Sequence, residues 1–523
     1  MQYASAKGKK VVYITEDFLA PDLALRLKNE GCEVMLCQKA ETEILAGTIE
    51  RYPYADRLDL AREADLVIFD DKSRGEADVL RAEGLSVIGG GKLTDKLELD
   101  RIWANKVAEA CGMLVPEIKE FESLQEIKSF LEENGGRWVL KQQGKLDGIK
   151  GLNFVSKMDD SEDLIDYIDI LESKWIPGVK QDFVIQEFVK GHEMACGSYW
   201  NGNEFQKDAE GDEICEENYE HKALFPGDLG ESTGEQYTVM RYRKAKDSKL
   251  FKETLDRCRD ILKRIEFRGD FDINCKVTEK GPYFLEFTPR MGVPAASAQI
   301  AIHKSSWYEF LKAMADGEQP KDFRYTPNYV IVSWLYTKPF PYVNSHRLND
   351  LYDQMWEGKS PTKAEDINEL LSFRLSNSDG IVVNFKEKLS RDDWDHVHMD
   401  GVKYENGALK IANSDGYVVT VTGEGETVDE AAEKVRTLLK KFVIPRAFWR
   451  DDFKHSHYHD SREDLTKWGY VSDPIDPEYE KSMNYEQALK GAREAGRSQA
   501  RAEFKAELKT IKDRIKKTLY GNK

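Results

Sequence analysis

The sequence predicts a multidomain chain of mixed class, α/β at its start and α+β beyond, and three observations carry that prediction. Its 523 residues are enough for about three domains. Over the first ninety or so positions, short apolar runs alternate with helical periodicity. Further on, isolated strands are separated by glycine turns, and a strand-then-helix pattern closes the ordered part. The first run, Lys9–Thr15, reads as a buried strand, and Leu19–Glu30 as a helix stopped by Gly31. Val34–Cys37, Leu66–Phe69 and Ser86–Gly91 repeat the strand signal. Strands alternating with helices imply a parallel sheet covered on both faces. The triplet Gly89-Gly90-Gly91 either admits a phosphate or makes a plain tight turn. Asp70-Asp71 ends the third of these runs, where ligands dock on such sheets, although a solvated strand end is the preferred reading.

Composition excludes several classes. With 40% hydrophobic and 33% charged residues the chain is globular, and a formal charge of −18 speaks against a dedicated nucleic-acid binder. Seven cysteines, scattered and never in C-x-x-C spacing, argue against a disulfide framework and against a zinc site. Neither a signal peptide nor an apolar run of membrane length is apparent, so a cytoplasmic, reducing location is expected.

Lys96–Gly112 reads as one helix. Phe121–Asn134 is an amphipathic helix, Arg137–Gln142 a strand, and Gln143–Gly151 a polar loop with three glycines and two lysines leading into Leu152–Val155. Such a loop suits a flap over phosphates, since glycine lets the backbone approach and lysine supplies charge; a mobile hairpin tip is the alternative. Val184–Lys190 is a strand running through a turn into Met194–Trp200, a connection able to offer backbone groups to an adenine edge, with Glu193 placed for ribose hydroxyls.

The chain is organised around Gly281-Pro-Tyr-Phe-Leu-Glu-Phe-Thr-Pro-Arg-Met-Gly292. A period of two along this strand puts Glu286, Thr288 and Arg290 in one row, an arrangement that holds Mg²⁺ beside a polyphosphate; an edge strand with a solvated face is the bland alternative. In Gly269-Asp-Phe-Asp-Ile-Asn-Cys275, Asp272 and Asn274 alternate likewise and offer further oxygens, or else mark a strand-end turn.

Taken in order, Leu97-Glu98…Arg101, Val-Leu-Lys141, Gly148-Ile-Lys-Gly151, Ile-Gln-Glu-Phe-Val-x-Gly-x-Glu193, Glu220-His-Lys222, Asp228-x-Gly-x-Ser-Thr-Gly234 and Leu-Glu-Phe-Thr-Pro-Arg290 resemble the ATP-grasp enzymes, and within them the glycinamide ribonucleotide synthetase family of purine biosynthesis. Asn413–Ala431 and Arg446–Asp452 are similar to that family's C-terminal and closing segments, so the resemblance spans about residues 9–452. It implies an N-terminal pre-ATP-grasp domain over 1–97, an ATP-grasp domain over 98–322 with a lid at about 122–189, a small α+β domain over 323–447, and a linker with a basic helix over 448–523. It also implies an ATP- and Mg²⁺-dependent (or Mn²⁺-dependent) ligase that joins a small carboxylate to an amine through an acyl phosphate. By that resemblance Arg101, Lys141, Gly148, Lys150 and Gly151 meet the phosphates, Glu187, Phe188 and Val189 meet adenine, and Glu193 the ribose. Glu286 and Thr288, assisted by Asp272 and Asn274, hold the metal, while Arg290, Lys222 and Thr233 face the reacting groups.

Departures from the family fall on the substrate side. Thr288 stands where the family has asparagine, which predicts a weaker metal site. The family's Gly-Gly-Arg-Glu-His phosphate loop is replaced by Thr15-Glu-Asp-Phe-Leu19, whose acids repel a phosphate, and its Asp-Pro-Glu by Val293-Pro-Ala295. An altered substrate pair is therefore expected. A phosphotransferase and a nucleotide-binding protein without catalysis are the alternatives.

His455, His457 and His459 alternate as three imidazoles would on one strand face, but their polar surroundings favour a solvated linker. Residues 481–523 hold 12 basic and 5 acidic side chains, with Phe504, Leu508, Ile511, Ile515 and Leu519 at helical spacing. That amphipathic basic helix is expected to dock on the chain's own acidic surface or to mediate self-association rather than to bind nucleic acid.

Overall fold

In the computed structural model the residues described are 4–40, 42–142, 152–176, 178–341, 378–413, 415–453 and 457–472. The flap residues Gly148, Lys150 and Gly151, His455, and the basic segment 481–523 lie outside them. The described residues up to Tyr470 pack as one unit.

The N-terminal runs form the expected parallel sheet. Strands β1 (Lys10–Thr15), β2 (Glu33–Gln38), β3 (Glu50–Tyr52), β4 (Leu66–Phe69) and β5 (Val87–Ile88) take the order β3-β2-β1-β4-β5, with the helix Pro21–Glu30 between β1 and β2. Every residue of β4 is buried, as the unbroken apolar run requires. The glycine triplet after β5 serves packing: Gly89 adopts φ +131°, its N–H donates to the Arg268 carbonyl at 2.8 Å, and an added Cβ would lie 2.7 Å from Phe69 Cβ. Asp70 and Asp71 are not a solvated strand end, being 0% and 1% exposed.

The single helix expected over Lys96–Gly112 is two helices, Lys92–Leu99 and Arg101–Ala110. Asp100 breaks it: its backbone is extended (φ −115°, ψ 90°), and its carboxylate accepts the Trp103 N–H at 2.9 Å as an N-cap. The break turns Arg101 into the first residue of a new helix.

Beyond it lie two more sheets. Strands β6 (Ile118–Glu120), β7 (Trp138–Gln142), β8 (Phe154–Val155) and β9 (Phe183–Glu187) form a four-stranded sheet in the order β6-β9-β7-β8. It is backed by helices Leu124–Asn134 and Glu162–Lys174 around a core that includes Leu131, Leu140 and Phe183. The large sheet takes β10 (His192–Trp200), β11 (Ile214–Phe225), β12 (Leu229–Lys244), β13 (Gly269–Thr278), β14 (Gly281–Thr288) and β15 (Tyr329–Tyr336). After β16 (Asn384–Phe385), β17 (Val397–His398), β18 (Val402–Glu405) and β19 (Ala408–Ile411) comes β20 (Tyr417–Gly425). The eight-stranded order is β14-β13-β10-β11-β12-β15-β20-β17, so the strands after Asp322 continue the sheet of the central segment. The strand expected over Gly380–Phe385 shrinks to β16, and helix Val428–Leu439 packs behind β20. His457 and His459 begin a helix, His457–Lys467, where residues two apart do not share a face. All seven cysteines are free. Among the described residues no helix is long and apolar enough to cross a membrane.

One buried carboxylate ties the N-terminal sheet to the rest. Glu30, at the end of helix Pro21–Glu30, is fully buried and accepts from Ser306 Oγ at 2.8 Å and from the Trp307 and Tyr308 N–H groups at 2.9 and 3.1 Å. It thereby caps the helix Trp307–Asp316 from a distant part of the chain. Glu30→Ala strands those donors and is expected to lower stability by about 3 kcal/mol in urea denaturation. A loss within about 0.5 kcal/mol of zero would show that water replaces the carboxylate.

Candidate functional site

The site grows out of strand register. Antiparallel pairing sets Asp272 opposite Thr288, Asn274 opposite Glu286, and Glu193 opposite Lys276. Directly opposed residues share a sheet face, so the alternating polar positions of β13, β14 and β10 stand together. β11 adds Glu216, Asn218, Glu220 and Lys222 to that face, with Gly197 of β10 opposite Glu216 and Asp272. Gly197 leaves room for them: an added Cβ there would lie 2.6 Å from Glu216 Oε1 and displace that side chain. A bulge between Asn274 and Cys275, which leaves Leu285 unopposed, sets the phase that brings Glu286 and Thr288 onto the face.

Lys222 is the centre of charge. Its Nζ lies 2.9 Å from Glu193 Oε1, 3.1 Å from Glu220 Oε2 and 3.5 Å from Glu286 Oε1. Lys276 completes the pairing of Glu193 at 2.8 Å, and Arg101 stands 3.8 Å from Glu286 Oε2. Burial disfavours charge on Lys222, yet the three carboxylates hold its pKa well above its usual value. Burial likewise opposes ionisation of Glu286, but Lys222, Arg101 and Lys141 bring its carboxyl down to about 2. Glu193 is held lower still by Lys222 and Lys276. Lys141, on β7, is driven the other way, to about 8, by burial and by the Arg101 guanidinium. The Asn274 amide lies between Glu220 and Glu286, 3.3 Å from Glu286 Oε1 and, with its nitrogen and oxygen exchanged, 2.7 Å from Glu220 Oε1.

These side chains open onto a cavity of about 130 Å³. Glu286, Thr288, Arg290, Asp272, Asn274 and Lys222 line it, together with Glu220, Glu235 and the apolar wall Gly292, Val293, Ala295. Asp272, 6% exposed, has one carboxylate oxygen buried without a hydrogen-bond partner, and its pKa is raised by burial and by Glu216 and Glu220. Arg290 reaches Glu98 Oε1 at 3.3 Å. Thr233 departs from expectation: its hydroxyl donates to the Lys222 carbonyl at 3.0 Å and accepts from Gln236 Nε2 at 2.6 Å, so it braces the loop, and Gly234 and Glu235 are the loop residues that line the cavity.

Arg101, Lys141, Lys222, Glu193 and Glu286 are thus brought together electrostatically with Thr288, Asp272, Asn274 and Arg290 around the cavity. The linker Glu187–Val189 lies at the end of β9, where the N–H groups of Glu187 and Phe188 donate to the Glu117 and Arg137 carbonyls at 2.9 Å each. Arg137 stacks 3.6 Å over the Phe188 ring. Glu193 pairs with Lys222 and Lys276. The residues not anticipated are Glu98, Lys276, Glu220 as a site residue, and Glu235. For Glu220 the period-two run Glu216-x-Asn218-x-Glu220-x-Lys222 was a usable signal.

A second cluster of acids, mostly buried, lies where the order of the N-terminal sheet reverses between β1 and β4, the place at which such sheets take ligands. Glu16 and Asp17 follow β1; Asp70 and Asp71 follow β4. Glu16 takes Lys39 at 2.7 Å and Arg74 at 2.9 Å, and Lys72 sits on Asp71 at 2.6 Å. Asp70 accepts from Ala20 N–H and Tyr13 OH, and burial with Asp71 alongside pushes its carboxyl up to about 7. Asp17 is raised by burial and by Asp71.

Comparison with known proteins places this geometry. Residues 99–296 match the family described as "Phosphoribosylglycinamide synthetase, ATP-grasp (A) domain". The phosphoribosylamine-glycine ligase of Clostridium acetobutylicum is 22% identical over 471 residues, covering 87% of this chain and 96% of that protein. The enzyme of the same name from Methanocaldococcus jannaschii is 22% identical over 453 residues, covering 81% and 91%. Among solved structures, phosphoribosylamine-glycine ligase from Thermotoga maritima superposes with a TM-score of 0.60 at 18% identity over 85% of this chain and 99% of that one. The biotin carboxylase domain of Hydrogenobacter thermophilus 2-oxoglutarate carboxylase, solved with MgADP, ADP and bicarbonate, gives 0.55 at 14% identity, covering 90% of this chain and 99% of that one. The cavity at the β13–β14 edge therefore lies within residues 99–296, the segment that matches an ATP-grasp domain of the phosphoribosylglycinamide synthetase type, and the fold is that of phosphoribosylamine-glycine ligase from Thermotoga maritima.

Proposed function

We propose that the protein is an ATP- and Mg²⁺-dependent ligase that joins a carboxylate to an amine through an acyl phosphate, with a substrate pair altered from that of phosphoribosylamine-glycine ligase. The observation that carries the reading is the convergence of Glu286, Thr288, Asp272 and Asn274 with Lys222 and Arg290 on one cavity. Its donor set fits a hard cation: Glu286 is held ionised, and Asp272 keeps a buried oxygen without a partner. Glu286, Thr288, Asp272 and Asn274 would hold Mg²⁺, which when bound neutralises phosphate oxygens. Arg101 and Lys141 extend the positive surface for the phosphates, and Arg290, fixed by Glu98, stands at the transferred group. In the first step a substrate carboxylate oxygen bonds to the γ-phosphorus as the bond to ADP breaks. In the second the amine nitrogen bonds to the carbonyl carbon, phosphate leaves, and a proton passes to solvent.

The altered pair is supported by the strand ends of β1 and β4. A phosphorylated substrate docking there would meet the exposed Asp17 and the neighbouring Glu16, while Lys39, Arg74 and Lys72 are already paired with acids. A non-phosphorylated, amine-bearing substrate suits that surface better.

Carboxylate-dependent ADP release from ATP, assayed with a panel of amino acids and amines, tests the reading. Glu286→Gln is expected to reduce it at least roughly a thousandfold, and Thr288→Ala to raise the Mg²⁺ requirement severalfold while Thr288→Asn lowers it. Full activity in Glu286→Gln would remove the assignment.

The Lys141 value also sets a pH dependence. With a pKa of about 8, the ammonium is charged below that pH and increasingly neutral above it. ATP favours the charged form, so nucleotide affinity should be greatest below pH 8 and fall above it, by up to roughly tenfold per pH unit. Calorimetric titration of MgADP between pH 7 and 9 checks this; Lys141→Met should be weak throughout and flat, and a flat wild-type profile would contradict it.

A further inference from the structure

Acidic side chains outnumber basic ones in the lining of the cavity, and burial pushes the carboxyls of Glu220, Glu235 and Asp272 up. Four carboxylates, Glu220, Glu235, Asp272 and Glu286, face two cations, Lys222 and Arg290. Lys222 is taken by Glu193, Glu220 and Glu286, and Arg290 by Glu98. A divalent cation held as proposed above would satisfy Glu286 and Asp272. That leaves Glu235, whose Oε1 is buried without a hydrogen-bond partner. Its position is built rather than incidental. Between the pairs His221–Tyr237 and Ala223–Ser232, Lys222 alone opposes the stretch from Thr233 to Gln236. The bulge turns Glu235 into the cavity while Thr233 and Gln236 brace it from behind and Tyr336 OH donates to its carbonyl at 3.1 Å. Across the cavity stand Val293 and Ala295, which offer no charge of their own.

We propose that Glu235 anchors an ammonium or amine group of the substrate that enters this cavity, either the amino group of the carboxylate substrate or the amine substrate itself. The apolar wall at Gly292, Val293 and Ala295 restricts the group to a small one, and the carboxylate accepts its N–H. This inference rests on the ligase reading.

The test traps the acyl phosphate with hydroxylamine, using amino acids each paired with its deaminated acid, glycine with acetate and alanine with propionate among them, with methylamine as a separate acceptor. In the wild type the amino acid should exceed its deaminated partner in kcat/KM for hydroxamate by roughly tenfold or more, and Glu235→Gln should erase the difference while melting and binding MgADP as the wild type does. Equal use of both acids, with the methylamine KM raised roughly tenfold in Glu235→Gln, would place the anchored group on the amine substrate instead. Glu235→Asp, which keeps the charge, should recover part of either effect. A variant that matches the wild type in both assays, or that changes only its Mg²⁺ requirement, overturns the anchor and leaves the ligase reading standing. Hydroxamate from none of the acids in the wild type removes the ligase reading, and the anchor with it.

Discussion

The Lys222 ammonium, clamped among Glu193, Glu220 and Glu286, is the interaction on which the site depends. Three carboxylates on one sheet face would repel one another, and burial would drive them to bind protons. One cation at 2.9 to 3.5 Å from all three reverses that tendency for Glu193 and Glu286. Losing one partner of such a knot leaves the remaining charges only partly compensated, Glu286 being the most solvent-screened of them. The knot brings side chains of β10, β11 and β14 to one point, and it keeps Glu286 anionic.

The apolar alternation that made the N-terminal sheet legible worked because parallel strands buried on both faces have no polar face to hide the signal: Leu66–Phe69 was read to the residue. Where the reading failed, one local group had overruled periodicity. Leu97 to Ala110 keeps helical spacing throughout, yet the Asp100 carboxylate competes for the Trp103 N–H and starts a second helix. The Glu30 cap lay beyond sequence reasoning altogether, since its partners at 306–308 are distant in the chain.

The candidate site divides in the same way. Glu286, Thr288 and Arg290, and likewise Asp272 and Asn274, follow a period of two within their own strands, and each row was visible; that the two rows face each other depends on register and on the bulge at Leu285. Thr233 was named by resemblance and Glu235 was not anticipated, because the bulge opposite Lys222 breaks the alternation there. The acids after β1 and β4 were legible as residues, while their burial and their pairing with Lys39, Lys72 and Arg74 required the fold.

Two halves of differing character thus meet at Glu98, which Arg290 reaches from the nucleotide side and Lys72 approaches to 3.9 Å from the sheet end. The nucleotide half is arranged for a polyanion and a hard cation; at the sheet end Glu16 and Asp71 pair with Lys39, Arg74 and Lys72. The measurement that tests this division most directly is Mg²⁺-dependent ADP release with glycine and phosphoribosylamine, the latter generated in place, set against glycine with amines that carry no phosphate. The account predicts ADP release with a phosphate-free amine and little with phosphoribosylamine; efficient turnover of phosphoribosylamine would contradict it.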